Sequence, residues 1–302
     1  MCHELVPETT QPYIRDMSAR LDGVAADLAF SREVVGEALR ASSGQVAASE
    51  GPEPGGPVDD VDPEGLLVSV MGGLGVRRGG RDLGVGLPEG ARLVLAILVT
   101  AEAPVADDRL ARWAWPDLDD SERSDALDRA VAELAEAIDD PDSSAAVGIA
   151  RREGQTTRAR LGPGGTWDVA VLRAAPARLA EEADHSERIA GLERALETAE
   201  RPVLPEWPYA EWAEGARGEC ARLAAALRGS LAEALLAATR HGEAREHFER
   251  LLDGAPDEEA WHRGLMRCHA AAGDRALALR QFHACRSVLR QGRAADPSPE
   301  TE

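Results

Sequence analysis

The stretch EWAEGARGECARLAAALRGSLAEALLAATRHGEAREHFERLLDGAPDEEAWHRGLMRCHAAAGDRALALRQFHACRSVLRQ, residues 211–291, decides how this chain is built. Phe248 and Phe282 lie 34 residues apart, and Ala244 and Ala278 precede them by four in each case. Pro256 closes the first unit. A helical hairpin of this kind buries its apolar stripe only by packing against another hairpin. The reading is of two stacked hairpins. The small residue sits where two helices cross closely, and the aromatic fills the groove to the next hairpin. A plain helical bundle in which two positions coincide by chance is the alternative. Either way the segment is a packing module without catalytic groups.

Working outward, 302 residues leave room for two domains and extra segments. Apolar residues make up 44% but aromatics only 4%, so the cores must rest on Leu, Ala and Val. The net charge of −20 opposes a bound polyanion, so any nucleic-acid contact must come from a local basic patch. Every positive side chain is Arg. Cys2, Cys220, Cys268 and Cys285 have no CxxC spacing, which argues against a disulfide framework or zinc finger and fits a reducing cytoplasm. Cys268 and Cys285 read as buried small apolar residues. No signal-peptide core and no membrane-spanning apolar run is present in the sequence.

From the N-terminus, residues 1–46 read as a helical segment, with a helix over 13–41. Ile14, Met17, Leu21, Val24, Leu28 and Val35 fall near a 3.5-residue spacing. That is either a coiled-coil seam for a homodimer or a helix docked on its own chain. Residues 47–65 are a linker by composition. Residues 66–76 read as one strand, and Arg78-Gly79-Gly80-Arg81 as a hairpin turn into a short strand over 82–85. Pro88 opens a helix running to about residue 101, with Leu93, Ile97 and Leu98 inward. Asp107 or Asp108 caps a second helix that buries Leu110, Trp113 and Ala114. Ser121 or Ser124 caps a third, burying Leu127, Val131, Leu134 and Ile138. Strands follow at 146–150, 156–161 and 167–171. Strands, three helices, then a hairpin is the order of a winged helix-turn-helix, whose third helix enters the major groove.

These pieces resemble the SARP-type bacterial transcriptional regulators, in which an OmpR-like winged helix precedes a bacterial transcriptional activation domain. The matching stretches are LLVSVMGGLGV (66–76), RLARWAWP (109–116), ALDRAVAELAEAI (126–138) and RREGQTTRARL (151–161) in the winged part. LPEWPYAEWA (204–213), LMRCHAAAGD (265–274) and DPSPETE (296–302) match in the helical part. The resemblance implies a mixed fold: a winged helix-turn-helix (α+β) domain over 66–172, then an all-α tetratricopeptide-like helical repeat domain over 173–302. It implies a cytoplasmic regulator that binds promoter DNA and meets RNA polymerase or other protein partners through the repeats, without a cofactor or metal. Two departures stand out. Where family recognition helices carry Arg beside the buried leucine, this chain has Ala135 and Glu136. The turn at His241-Gly242-Glu243 is also about three residues shorter than the family's.

Residues 117–142 hold eleven Asp or Glu against Arg123 and Arg129, a local charge of −9. Such a helix meets repulsion in a DNA groove. The wing is opposite in sign: Arg151, Arg152, Arg158 and Arg160 against Glu153 give +3. These arginines contact phosphate, or they pair with the acidic third helix beside them. The DNA-binding candidates are therefore Arg123, Arg129, Arg151, Arg152, Arg158 and Arg160. The competing reading is a scaffold whose winged domain has lost DNA and whose repeat surface binds a partner protein. His262 and His269, seven apart, lack the i, i+4 spacing usual for zinc on a helix. Gly72-Gly73-Leu74-Gly75 lacks the Lys of a phosphate loop. Nothing in the sequence argues for an enzyme. Trp207, Tyr209 and Trp212 either anchor a partner or, buried, hold the start of the repeat domain.

Overall fold

The computed structural model describes residues 65–101, 103–138, 149–161 and 165–301. The expected N-terminal helix with its seam, the linker to residue 64, and residues 146–148 of an expected strand lie outside the described residues.

The N-terminal sheet is built from β1 (Leu66–Ser69), β2 (Gly75–Arg78), β3 (Arg81–Asp82) and a late strand, β7 (Thr166–Trp167), in the order β3-β2-β1-β7. The single strand expected over 66–76 is two antiparallel strands, with Val68 opposite Val76. The cause is Gly72-Gly73, whose φ angles of +84° and +133° turn the chain where a side chain would be strained. The next turn follows the sequence: Gly79 and Gly80, at +55° and +74°, join β2 to β3. Val68 and Val76 face the core fully buried.

Helix α1 (Glu89–Thr100) follows Pro88 and buries Val94, Leu95, Ile97 and Leu98. After β4 (Val105–Ala106), helix α2 (Asp107–Ala114) buries Leu110, Ala111 and Ala114. Trp113 was expected inside but is 38% exposed, with the Arg109 guanidinium 5.7 Å above its ring. Ala111 takes its place in the buried stripe because the wide indole is carried at the stripe's edge. Neither Asp107 nor Asp108 caps this helix. Helix α3 (Asp120–Ile138) is capped by neither Ser121 nor Ser124. Instead Asp119 Oδ1 accepts from the amides of Ser121 and Glu122 at 2.9 Å, while Glu122 accepts from the Asp119 amide at 3.1 Å. That reciprocal pair is a capping box with Asp in the first position. Leu127, Ala130, Leu134 and Ile138 form the buried side of α3. The hairpin β5 (Ala150–Glu153) and β6 (Thr156–Ala159) adds to β4 in the order β4-β6-β5.

The rest is helical: α4 (Asp168–Ala180), α5 (His185–Ala199), α6 (Glu214–Ala237), α7 (His241–Gly254), α8 (Glu259–Ala271) and α9 (Arg275–Gly292). Each helix packs on the next, so the decisive stretch forms the hairpins α6–α7 and α8–α9. The turn between α6 and α7 is residues 238–240, with Thr239 at φ +62°. His241–Glu243 is the first turn of α7, not the connection. Residues 168–171, expected as strand, open α4, and the domain division expected after residue 172 falls inside this helix.

One carboxylate ties the sheet to the helices. Asp168, buried at the start of α4, accepts from the amides of Val70 and Met71, both at 2.9 Å, and of Val169 at 2.8 Å. A second tie uses the glycine turn. Gly72 N–H donates to Pro202 O at 2.8 Å, and Leu74 N–H donates to Glu206 at 2.9 Å. A Cβ on Gly73 would stand 3.1 Å from that Glu206 carboxylate. The glycines thus admit the 202–206 segment rather than a phosphate. Trp207 and Trp212 stack in a tilted pair at 6.0 Å against the shared core. Tyr209, grouped with them in the sequence, is 93% exposed and holds nothing there.

Candidate nucleic-acid interface

The six candidate arginines divide by what their guanidinium groups touch. Arg123 sits in the first turn of α3 and is only 18% exposed. Its Nε donates to Trp115 O at 3.0 Å, its Nη2 to Pro116 O at 2.8 Å and its Nη1 to Asp120 at 2.8 Å. Each of its three nitrogens thus donates within the α2–α3 connection and the first turn of α3. Arg129, nearly two turns further along α3, is exposed and carries no ion pair among the described residues.

The hairpin sorts the other four by face. In β5–β6, Arg151 stands opposite Arg158 and Arg152 opposite Thr157. Side chains alternate along a strand, so Arg151, Glu153, Arg158 and Arg160 share one face and Arg152 takes the other. On that other face Arg152 reaches Asp107 of α2 at 2.9 Å and Asp128 of α3 at 2.7 Å. Thr157 adds a 2.6 Å hydrogen bond to the same Asp107. Asp107 thus serves the hairpin, while the N-cap position of α2 is Ala106, which has no polar side chain to cap with.

On the first face three arginines converge on one carboxylate. Glu153 Oε1 lies 3.2 Å from both Arg158 and Arg160 and 3.6 Å from Arg151. Like charges directly across a strand pair repel, and a single acid cannot neutralise three guanidinium groups. The face keeps an excess of two positive charges. The Nε atoms of Arg158 and Arg160 are buried without a hydrogen-bond partner. Among the described residues, Arg152 is the one wing arginine paired with the acidic third helix. The sequence places four of the arginines on this hairpin, but not the division between them: Asp107 reads there as a helix cap and Glu153 as one charge in the wing's sum.

His262 belongs to another network. It is buried, with Nε2 2.9 Å from Pro256 O and Nδ1 2.6 Å from Gln281 Nε2. The geometry fits an imidazole that donates to the carbonyl and accepts from the amide, joining the α7–α8 connection to α9. Cys220, Cys268 and Cys285 are buried free thiols. Burial lifts the Cys220 thiol to about 11. Among the described residues, no helix is long and apolar enough to cross a membrane.

Comparison with known proteins bears on the two halves differently. Residues 167–302, somewhat under half of the chain, match the model of the bacterial transcriptional activator domain. Comparison with curated protein sequences finds no match. Among solved structures, the fold is similar to that of Mycobacterium tuberculosis EmbR, determined in complex with a low-affinity phosphopeptide. The TM-score is 0.59 at 20% identity, over 78% of this chain and 62% of EmbR. The chain therefore spans about three fifths of the length of that structure, and at this identity the likeness is one of fold. The C-terminal part of the chain thus matches the bacterial transcriptional activator domain model, and the fold is similar to that of EmbR.

Proposed function

We propose that the chain is a cytoplasmic transcription regulator whose N-terminal module is a winged helix-turn-helix that touches promoter DNA chiefly through its wing. In this reading α3 is the recognition helix and β5–β6 the wing. Arg151, Arg158 and Arg160 contact phosphate from the wing, and Arg129 adds an exposed charge on α3. Arg123 and Arg152 hold the module together. The observation that carries the reading is the excess charge on the first face of the hairpin, in front of a bacterial transcriptional activator domain. Phosphate contacts position a protein without reading bases. An acidic helix then costs base recognition more than it costs the wing's hold on the backbone. The helical repeats, tetratricopeptide-like in this reading, would meet RNA polymerase or another protein, and a homodimer would come from the N-terminal segment.

A second reading is favoured by the commitment of Arg123 and Arg152 to internal partners: a scaffold that no longer binds DNA. A salt titration of a labelled random duplex separates the two. A hold through the three wing arginines alone gives a slope of log K against log salt of about −3. Absence of binding at low salt would leave the scaffold.

A further inference from the structure

A second concentration of positive charge lies in the helical domain, on none of the elements that the wing uses. A cleft of about 1050 Å³ opens between the 199–208 segment, the first half of α6, the end of α7 and Trp261 of α8. Its lining includes Arg201, Arg217, Arg222, Arg228 and Arg250, with Glu200 as the one acid. In a chain of 54 acidic and 34 basic residues that balance is an inversion. The floor between the guanidinium groups is apolar and includes Val203, Leu251 and the small residues Ala221 and Ala225.

Three of the five arginines have structural partners. Arg228 pairs with Glu200 and approaches His247 at 3.4 Å, Arg217 donates to the carbonyls of Ala210 and Trp207, and Arg201 is 4.0 Å from Glu197. Arg222 and Arg250 are exposed and carry no ion pair among the described residues. The charge of Arg250 is felt nearby: burial first, then the Arg250 guanidinium, lowers the pKa of Arg228. Charged groups aligned over an apolar floor, left without protein partners, fit an anionic ligand that also brings apolar surface.

We propose that this cleft docks an acidic peptide segment of a partner protein, its carboxylates on Arg222 and Arg250 and its apolar side chains on the floor. A groove between helices of a repeat takes an extended or helical peptide, and arginine clusters read acidic motifs. Nucleic acid fits the site less well. Single strands bind through stacked aromatic rings, but the ring here, Trp261, is already packed against Phe248 at 6.4 Å and over Gly229. A duplex would bring its full width of phosphate against a chain of net charge −20. The site stands independently of the wing, so its failure and the failure of DNA contact are separate outcomes.

The test uses the full chain and a short fluorescein-labelled peptide in which glutamate alternates with leucine and proline, followed by anisotropy. The double variant Arg222→Glu, Arg250→Glu should weaken binding by more than about tenfold. Arg275→Glu with Arg280→Glu, which makes the same charge change outside the cleft, should leave binding within about twofold. A peptide with glutamine for glutamate should lose binding as the cleft variant does. Circular dichroism melts confirm that both variants fold. The proposal is overturned if the wild-type chain does not bind the peptide or if both double variants lose equally. Tighter binding of a single-stranded oligonucleotide at the same arginines would also overturn it.

Discussion

The ring of Phe248 lies against the backbone of Gly264 with no space for a Cβ: an added methyl would overlap three of its ring carbons. Phe248 is fully buried, and Trp261, one turn before Gly264 on α8, tilts against the same ring at 6.4 Å. Gly264→Ala gains up to about 1 kcal/mol of helix propensity. Overpacking a filled core costs about 1–3 kcal/mol, so the net effect is a loss. Phe248→Ala should lose about 3–5 kcal/mol. Phe282, its counterpart 34 residues on, is half-buried, and Phe282→Ala should cost distinctly less. Urea unfolding of the three variants ranks them, and equal losses for Phe248 and Phe282 would contradict this packing.

Asp168 predicts a second stability effect, one with a pH dependence. Asp168→Ala leaves the Val70, Met71 and Val169 amides without their acceptor. Each buried orphan costs about 1–3 kcal/mol. Asp168→Asn keeps one acceptor atom and should lose less. Burial raises the Asp168 carboxyl above its ordinary 3.8, although the amide hydrogen bonds pull the other way. The native chain thus holds this proton where the unfolded chain has released it. The stabilising contribution is full below the unfolded value and lost as pH rises through the native one. The margin of wild type over Asp168→Asn should therefore shrink as pH climbs. A margin that grows with pH would mean the amides outweigh burial.

Much of this architecture was legible because it rests on local rules. The 34-residue spacing of Phe248 and Phe282 placed the two hairpins, and Gly79-Gly80 placed its turn. The errors arose where tertiary partners overrode local preference. Residues 66–76 alternate like one strand, but Gly72-Gly73 turns the chain to receive the 202–206 segment. Asp107 looks like a helix cap and serves Arg152 and Thr157 instead. The residues after Asp168 have strand-like character, yet Asp168 accepts from the amides just past the end of β1 and the helix starts there. The arginine cleft could not be read at all. Arg201, Arg222 and Arg250 come from three separate segments, and no spacing within one segment records that they meet.

At the wing, the face assignment makes predictions of opposite sign. Arg158→Ala and Arg160→Ala should each weaken binding to random duplex and lower the salt slope by about 1. Arg152→Ala removes the same charge, but that guanidinium faces Asp107 and Asp128, so the slope should stay unchanged. Glu153→Gln should tighten binding at low salt, because it frees three arginines from their shared acid. Anisotropy across a salt series measures all four. If Arg152→Ala matches Arg158→Ala, the two faces are not distinct and net charge alone sets affinity.

His247 makes the helical domain sensitive to acid. It stands half-buried beside Arg228, with Nδ1 accepting at 3.4 Å from that guanidinium. Burial is the largest cause that lowers its pKa below 6.5, and the charges of Arg228 and Arg250 add to it. Glu246 and Glu243 pull in the opposite direction without prevailing. A depressed native pKa means that the unfolded chain takes up this proton first. The stabilising contribution is present above the unfolded value and is lost as pH falls through the native one. Below pH 6.5 the wild type should thus lose stability more steeply than His247→Gln, which cannot take up the proton. Arg250→Ala should move the imidazole pKa, followed by NMR, only part of the way up, because burial remains. A full return to the ordinary value in Arg250→Ala would show that charge, not burial, holds the ring neutral.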